Sequence, residues 1–566
     1  MIHSEKAWYR NATIYQVYPK SFQDSGGDGV GDIRGIIRRL DYLTDLGVDG
    51  VWLCPIYASP MVDNGYDISD YRSINPDFGT MEDFDELVEE MHRRNLKLIM
   101  DMVLNHTSDE HAWFKESRTS RTSPKRDWYH WKGSDKNKSP NDWLSFFSGP
   151  AWEWDELSGE HYLHLFHKKQ PDLNWENPEL REEVKSMLRW WLDKGVDGFR
   201  LDVINLISKQ AGYPDADPDC PAEQPRGISR YANGPRIHEF LRELHDEVFA
   251  PYNAIAIGEA PEVSPGLAEV YTAPERRELD MVFHFDLMGL DSGGQGKWDI
   301  RPLDAGDLRN VMKSWQSDIG NGWNSLYLSN HDQSRIVNRF GDAEFFRTES
   351  AKLLAALQYL QKGTAFVYQG EEIGMVNYPW KSPSELRDIE SINYLKEIVK
   401  KGTLSFGEAW DAVRKKGRDN SRVPMCWSGD MNGGFSSGHP WISVHPEYNF
   451  INVENESKDD ESILSFYRRL IRIRKSELLI SEGDIEFIDT PWKNFIVYRR
   501  FSDASAHELI VAANVGPERR NVRESLHLPI PESEYLLRNY PLPESNDIWE
   551  PWEVRIWKVG TKGTME

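Results

Sequence analysis

Cysteine is scarce in this chain of 566 residues, with Cys54, Cys220 and Cys426 alone. An odd number at wide spacing excludes a disulfide framework and offers no zinc-type pair, so the thiols are expected to be reduced. Long apolar runs are missing too. No window of about eighteen apolar residues occurs, which excludes a membrane-spanning helix. The opening "MIHSEKAWYRNATIYQVYPKSF" has no apolar core of a signal peptide, and a cytoplasmic location is the expectation. Positive charge is outnumbered, with 67 Lys and Arg against 92 Asp and Glu, a formal net charge of −25. That balance argues against nucleic acid as a partner. Neither an H-x-H nor an H-E-x-x-H pairing is found, so a catalytic metal is not expected.

What is abundant is apolar and aromatic. Hydrophobic residues make up 39% of the chain, enough for a large core, and there are 22 Trp. Aromatic faces fill cores, and they also suit sugar rings. A length of 566 residues implies more than one domain. Strand-like runs alternate with amphipathic helical ones at 12–19, 49–55, 97–103, 197–203, 254–259, 281–286, 324–330 and 363–370. Eight parallel strands separated by helices predict an α/β fold, a (β/α)8 TIM barrel, with an open doubly wound sheet as the alternative. "LGVDGVW" (46–52) and "KGVDGFR" (194–200) echo one another at helix-to-strand turns. The rhythm breaks at 105–176, too long for a connection and read as a subdomain inserted after strand three. The barrel is thus expected over 1–104 and 177–480, with a second insertion at about 371–458. Residues 481–566 lose the helices and predict a C-terminal antiparallel β-sandwich.

The run "GFRLDV" (198–203) sets Arg200 and Asp202 at period two on one face of a buried strand. Burying charge is costly unless it is paired or used. Strand five ends in Glu259, strand three in "DMVLNH" with Asp101 and His106, and strand seven runs into "SNHDQSR" with His331 and Asp332. Tyr66 and Asp67 follow strand two. A barrel gathers such strand ends at one rim. Several acids at one rim point to acid/base work on a neutral polar substrate, such as cleavage of a glycosidic bond by two carboxyls. A divalent-metal site is the rival reading, and Arg200 would repel the cation.

At these residues the chain resembles the α-amylase family of glycoside hydrolases, within it the oligo-1,6-glucosidase and α-glucosidase group. The blocks "DMVLNH" (101–106), "GFRLDV" (198–203), "IGEA" (257–260) and "SNHDQ" (329–333) stand in the family's order, and "QPDLNWENP" (170–178) and "YQGEEIGM" (368–375) are of the group's type. The resemblance implies Asp202 as nucleophile, Glu259 as acid/base and Asp332 as the third carboxylate. It implies Asp67, His106, Arg200, His331 and Arg418 as grips on the terminal glucose, with Tyr66 and Phe166 as aromatic walls. It implies an exo-acting retaining α-glucosidase without a catalytic cofactor, acting on small oligosaccharides as a monomer or weak homodimer. Val203 after the nucleophile goes with α-1,6 linkages in that group. α-1,4-Glucosidase, trehalose-6-phosphate hydrolase and sucrose isomerase are the alternatives, and a catalytically inactive amylase-like scaffold is the non-enzymatic one. The loop "DSGGDGVGD" (24–32) resembles a structural calcium site with ligands from Asp24, Asp28, the Val30 carbonyl and Asp32. Gly26 stands where relatives often carry Asn.

Overall fold

In the computed structural model, residues 8–221, 224–402, 404–522, 535–543 and 545–560 are described. Eight strands form one parallel sheet: β1 Thr13–Val17, β2 Gly50–Leu53, β3 Lys97–Val103, β4 Gly198–Asp202, β5 Ile255–Glu259, β6 Met281–Phe283, β7 Ser325–Tyr327 and β8 Thr364–Tyr368. Their order is β6-β5-β4-β3-β2-β1-β8-β7. A parallel bridge from Val282 to Asn324 joins the two ends, so the sheet closes into a TIM barrel. Strands β1, β2, β4, β5, β6, β7 and β8 are buried at every position, as expected of strands covered by helices outside and side chains inside.

The helices follow local chemistry. Helix Met81–Arg93 starts at a capping box, in which Thr80 Oγ1 accepts the Asp83 N–H (3.2 Å) and Asp83 Oδ2 accepts the Thr80 N–H (2.9 Å). It buries Phe84, Leu87, Val88 and Met91 at helical spacing. The helix expected over 35–47 is two pieces, Ile33–Arg38 and Leu40–Leu46. It begins earlier because Asp32 caps the Gly35 N–H, and it ends at Gly47, φ 94°.

Within 105–176 three short strands, Trp131–Lys132, Trp152–Asp155 and Glu160–Leu163, make an antiparallel sheet. Trp143, Trp152, Leu163 and Leu165 pack there with Leu206, Ile228 and Tyr231 from the loop after β4, giving a second apolar cluster. The stretch after β8, expected as a second insertion, includes the helices Ile389–Lys401 and Phe406–Lys416. The C-terminal part is a five-stranded antiparallel sheet: β9 Asp484–Ile488, β10 Phe495–Phe501, β11 His507–Asn514, β12 Tyr535–Arg538 and β13 Val554–Gly560. Among the described residues its second layer is only a two-stranded ribbon, Arg520–Asn521 with Ile548–Trp549. Among them, too, no helix is long and apolar enough to cross a membrane.

Candidate active site

The charged face of β4 is used. Parallel register sets Asp101 of β3 level with Arg200 of β4, and Gly258 of β5 level with Leu201. Asp202 and Glu259 therefore close their strands side by side. Arg200 is almost completely buried, 1% exposed, and three carboxyls surround its guanidinium. Nη1 meets Asp101 Oδ1 (2.8 Å) and Asp202 Oδ1 (2.7 Å), and Nη2 meets Glu259 Oε1 (2.5 Å). Asp101 is anchored further by Tyr66 OH (2.8 Å) and Trp52 Nε1 (3.0 Å) on Oδ2. Three acids on one cation leave excess negative charge. Burial raises the pKa of both Asp202 and Glu259, and Arg200 opposes it. Glu259 and Asp101 push Asp202 up further, and Asp332 and Asp101 do the same to Glu259. Such a cluster favours retaining a proton on one carboxyl.

Asp332 has the opposite environment. Burial would raise its pKa, but His331, Arg418 and Arg422 overcome that and hold the carboxyl far below the usual range. Oδ1 accepts from Arg422 Nη2 (2.8 Å) and Arg418 Nη1 (3.2 Å). His331 stacks on Tyr66, with ring centroids 5.1 Å apart and planes at 4°. Gln16 donates to its Nδ1 (2.8 Å), which assigns the ring proton to Nε2, 3.4 Å from Asp332 Oδ2. Burial lowers the pKa of His331 to about 3 and that of His106 likewise to about 3, so both rings are neutral at ordinary pH. Arg418 is a second hub. Its Nη2 contacts Asp63 Oδ1 (3.1 Å) and Asp388 Oδ1 (2.6 Å), and its guanidinium lies 4.9 Å from the centre of the Phe147 ring.

These groups line a cavity of about 2120 Å³ at the C-terminal end of the barrel. Asp202, Glu259, Asp332, Tyr66, His106, Phe166 and Arg418 of the expected set all reach its wall. Arg200 and His331 stand behind it and act through the carboxyls they touch. Asp67 is a correction. It is wholly buried, and its two oxygens accept the backbone N–H groups of Val62 (2.9 Å) and Asp63 (3.0 Å), so it staples the loop. Asp63 takes the place at the cavity wall, paired with Arg418, and burial raises its pKa to about 6. Sequence reasoning also passed over Asp388 and Lys209. Lys209 Nζ is buried between Asp172 Oδ2 (2.8 Å) and Asn105 Oδ1 (2.7 Å), and Asn105 Nδ2 lies 3.2 Å from His106 Nδ1. That network ties the inserted segment to the rim of β3 and β4.

In the loop 24–32 the Asp24 carboxylate is taken up by protein donors. Asp24 Oδ1 accepts the N–H groups of Gly26 (2.8 Å) and Gly27 (2.7 Å), and Oδ2 accepts the Gly29 N–H (2.8 Å) and Ser436 Oγ (2.5 Å). All its lone-pair directions are occupied by donors. Asp28 accepts the Val30 N–H (2.9 Å), and Asp32 accepts those of Ser25 (2.8 Å) and Gly35 (2.6 Å). Among the described residues no group of three or more His, Cys, Asp or Glu side chains is arranged to hold a metal.

Three comparisons bear on this geometry. The alpha amylase catalytic domain profile matches residues 16–483. The oligo-1,6-glucosidase of Parageobacillus thermoglucosidasius is 50% identical over 562 residues, covering 98% of this chain and 99% of that protein. Among solved structures, trehalose-6-phosphate hydrolase of Bacillus licheniformis superposes with a TM-score of 0.90 at 42% identity, covering 98% of this chain and 100% of that one. Trehalulose synthase of Pseudomonas mesoacidophila MX-45 gives 0.91 at 40% identity, covering 98% and 99%.

Proposed function

The chain belongs to the α-amylase family of glycoside hydrolases, and from that premise we propose that it is an exo-acting retaining α-glucosidase that prefers α-1,6-linked glucosides such as isomaltose. The observation that carries this reading is the pair Asp202 and Glu259 on neighbouring strand ends around one guanidinium. Neighbouring strands lie about 4.8 Å apart, close to the roughly 5–5.5 Å between carboxyls that double displacement needs. In the first half-reaction Asp202 bonds to the anomeric carbon as the glycosidic C–O bond breaks, and Glu259 gives its proton to the leaving oxygen. In the second, Glu259 takes a proton from water, the water oxygen bonds to the same carbon, and the ester to Asp202 breaks. Two inversions leave the α-configuration. Asp332, held ionised by Arg418 and Arg422, is suited to accept hydroxyl hydrogen bonds from the terminal sugar and to favour the positively charged transition state. Neutral His106, on the cavity wall, suits the same hydroxyls.

The linkage preference rests on Val203, which follows the nucleophile on the cavity wall, and on the likeness to the oligo-1,6-glucosidase. A phosphorylated substrate is disfavoured because most of the cations lining the cavity, Lys415 apart, are already engaged. Lys297 pairs with Glu390 (2.5 Å), Arg301 with Asp307 (3.2 Å), Arg226 with Asp142 (2.5 Å) and Lys416 with Asp291 (2.8 Å). An inactive scaffold is disfavoured because all three acids face one cavity. Three unpaired thiols agree with a reducing compartment such as the cytoplasm. Glucose release from isomaltose and maltose at equal concentration tests the reading. Faster release from isomaltose is expected. Faster release from maltose would overturn the linkage, and release from neither would overturn the activity.

A further inference from the structure

The residue after the proposed nucleophile adopts a backbone that its side chain disfavours. Val203 has φ 36° and ψ 42°, in the left-handed region that a β-branched residue rarely enters. Such strain persists only where the surroundings over-determine it. Here they do. The Val203 side chain packs in the second apolar cluster with Trp143, Leu165, Leu206 and Tyr231. Asn205 Nδ2 donates to the Pro261 carbonyl (2.6 Å), tying the turn after β4 to the loop after β5. Gly258 lets that turn approach β5, since a Cβ there would stand 2.6 Å from Leu279 and 3.1 Å from Ile204. The result is a backbone N–H aimed across the strand gap, 3.3 Å from Glu259 Oε2.

We propose that Val203 is a positioning residue for Glu259, its strained backbone aiming the N–H at Oε2, and that this role is separate from its side chain's place in the cavity. The proposal rests on Glu259 being the acid/base. Arg200 Nη2 holds Oε1, so Oε2 is the oxygen free to exchange the proton with the leaving group and then with water. An amide only donates. It stabilises the carboxylate that exists once the proton has left, and a second contact fixes the plane of the carboxyl. The charged and titratable groups facing Glu259 are Arg200 and Asp202 of β4, Asp101 of β3, Tyr327 of β7 and Asp332 beyond β7. Against these, the amide lowers the Glu259 pKa and does not itself titrate.

The test removes the N–H and keeps the side chain. An ester between Asp202 and position 203, made by incorporating the α-hydroxy acid analogue of valine, is compared with Val203→Thr, which keeps the amide. The alkaline limb of the kcat/KM profile on isomaltose reports deprotonation of the acid. In the ester it is expected to move up by about half a pH unit or more, and in Val203→Thr to stay. An unmoved limb in the ester, or an equal shift in both, overturns the proposal. A wild-type profile without an alkaline limb would instead remove the role of Glu259. Should the ester not fold, 15N-valine labelling of the intact enzyme serves. The Val203 amide resonance, assigned by its loss in Val203→Thr, should titrate with the pKa of the alkaline limb, and a flat response would overturn the proposal.

Discussion

Glu371 offers a sharp stability test away from the cavity. It follows β8 and is buried against Glu372, whose own pKa is also raised by burial. Glu371 Oε1 accepts Tyr359 OH (2.5 Å) and Tyr467 OH (2.9 Å). Burial first, and Glu372 beside it, raise the Glu371 pKa to about 7 against the bonds from the two tyrosines. The folded state therefore holds a proton that the unfolded chain releases near its ordinary value of 4.5. The contribution is fully present below about pH 4.5 and is lost as pH rises through about 7, a swing of about 3 kcal/mol at about 1.4 kcal/mol per pH unit. Glu371→Gln keeps the carbonyl acceptor and cannot ionise. Relative to this variant, the wild type should lose about 3 kcal/mol between pH 4.5 and pH 8, or about 2–3 °C in Tm for a chain of this length. Scanning calorimetry of both proteins at several pH values reads the difference. A constant difference across that range would refute the buried proton.

Lys209→Met leaves Asp172 as a buried unpaired charge and should cost about 3–5 kcal/mol, seen as a lowered Tm. KM for isomaltose should rise in the same variant, because the network reaches His106; an unchanged Tm would contradict the buried pair. Asp332→Asn should lower kcat/KM by about 100-fold or more while leaving Tm within about 2 °C, and near-wild-type turnover would remove that carboxylate from the mechanism. Chelation by EDTA should leave Tm within about 1 °C, because the acceptors of Asp24 are taken by amides; a larger fall, restored by calcium, would reverse the reading of that loop.

The barrel was legible because its strands are short apolar runs between amphipathic helices, and because charge inside such a run demands a use. Arg200, Asp202 and Glu259 could be placed together by strand order alone. Asp63 could not be separated from Asp67. Asn64 and Gly65, at φ 51° and 108°, form a left-handed turn that sends one acid to the cavity and the other to the loop backbone, and chain spacing carries no trace of it. Lys209, in "NLISKQ", reads as a solvated lysine, since its partners Asp172 and Asn105 are distant in sequence. Aspartates alternating with glycines write a calcium loop and an amide-capped turn alike, and only the count of donors around Asp24 separates them. Helices Ile389–Lys401 and Phe406–Lys416 were hidden in a charge-rich stretch, although Asp388 and Ser405 cap them.

The central claim is that Asp202 forms a covalent link that Glu259 then helps to hydrolyse. Proton NMR of the glucose first released from isomaltose tests it most directly. Retention through two displacements predicts α-glucose before mutarotation. β-Glucose as the first product would mean a single displacement by water and would contradict the account.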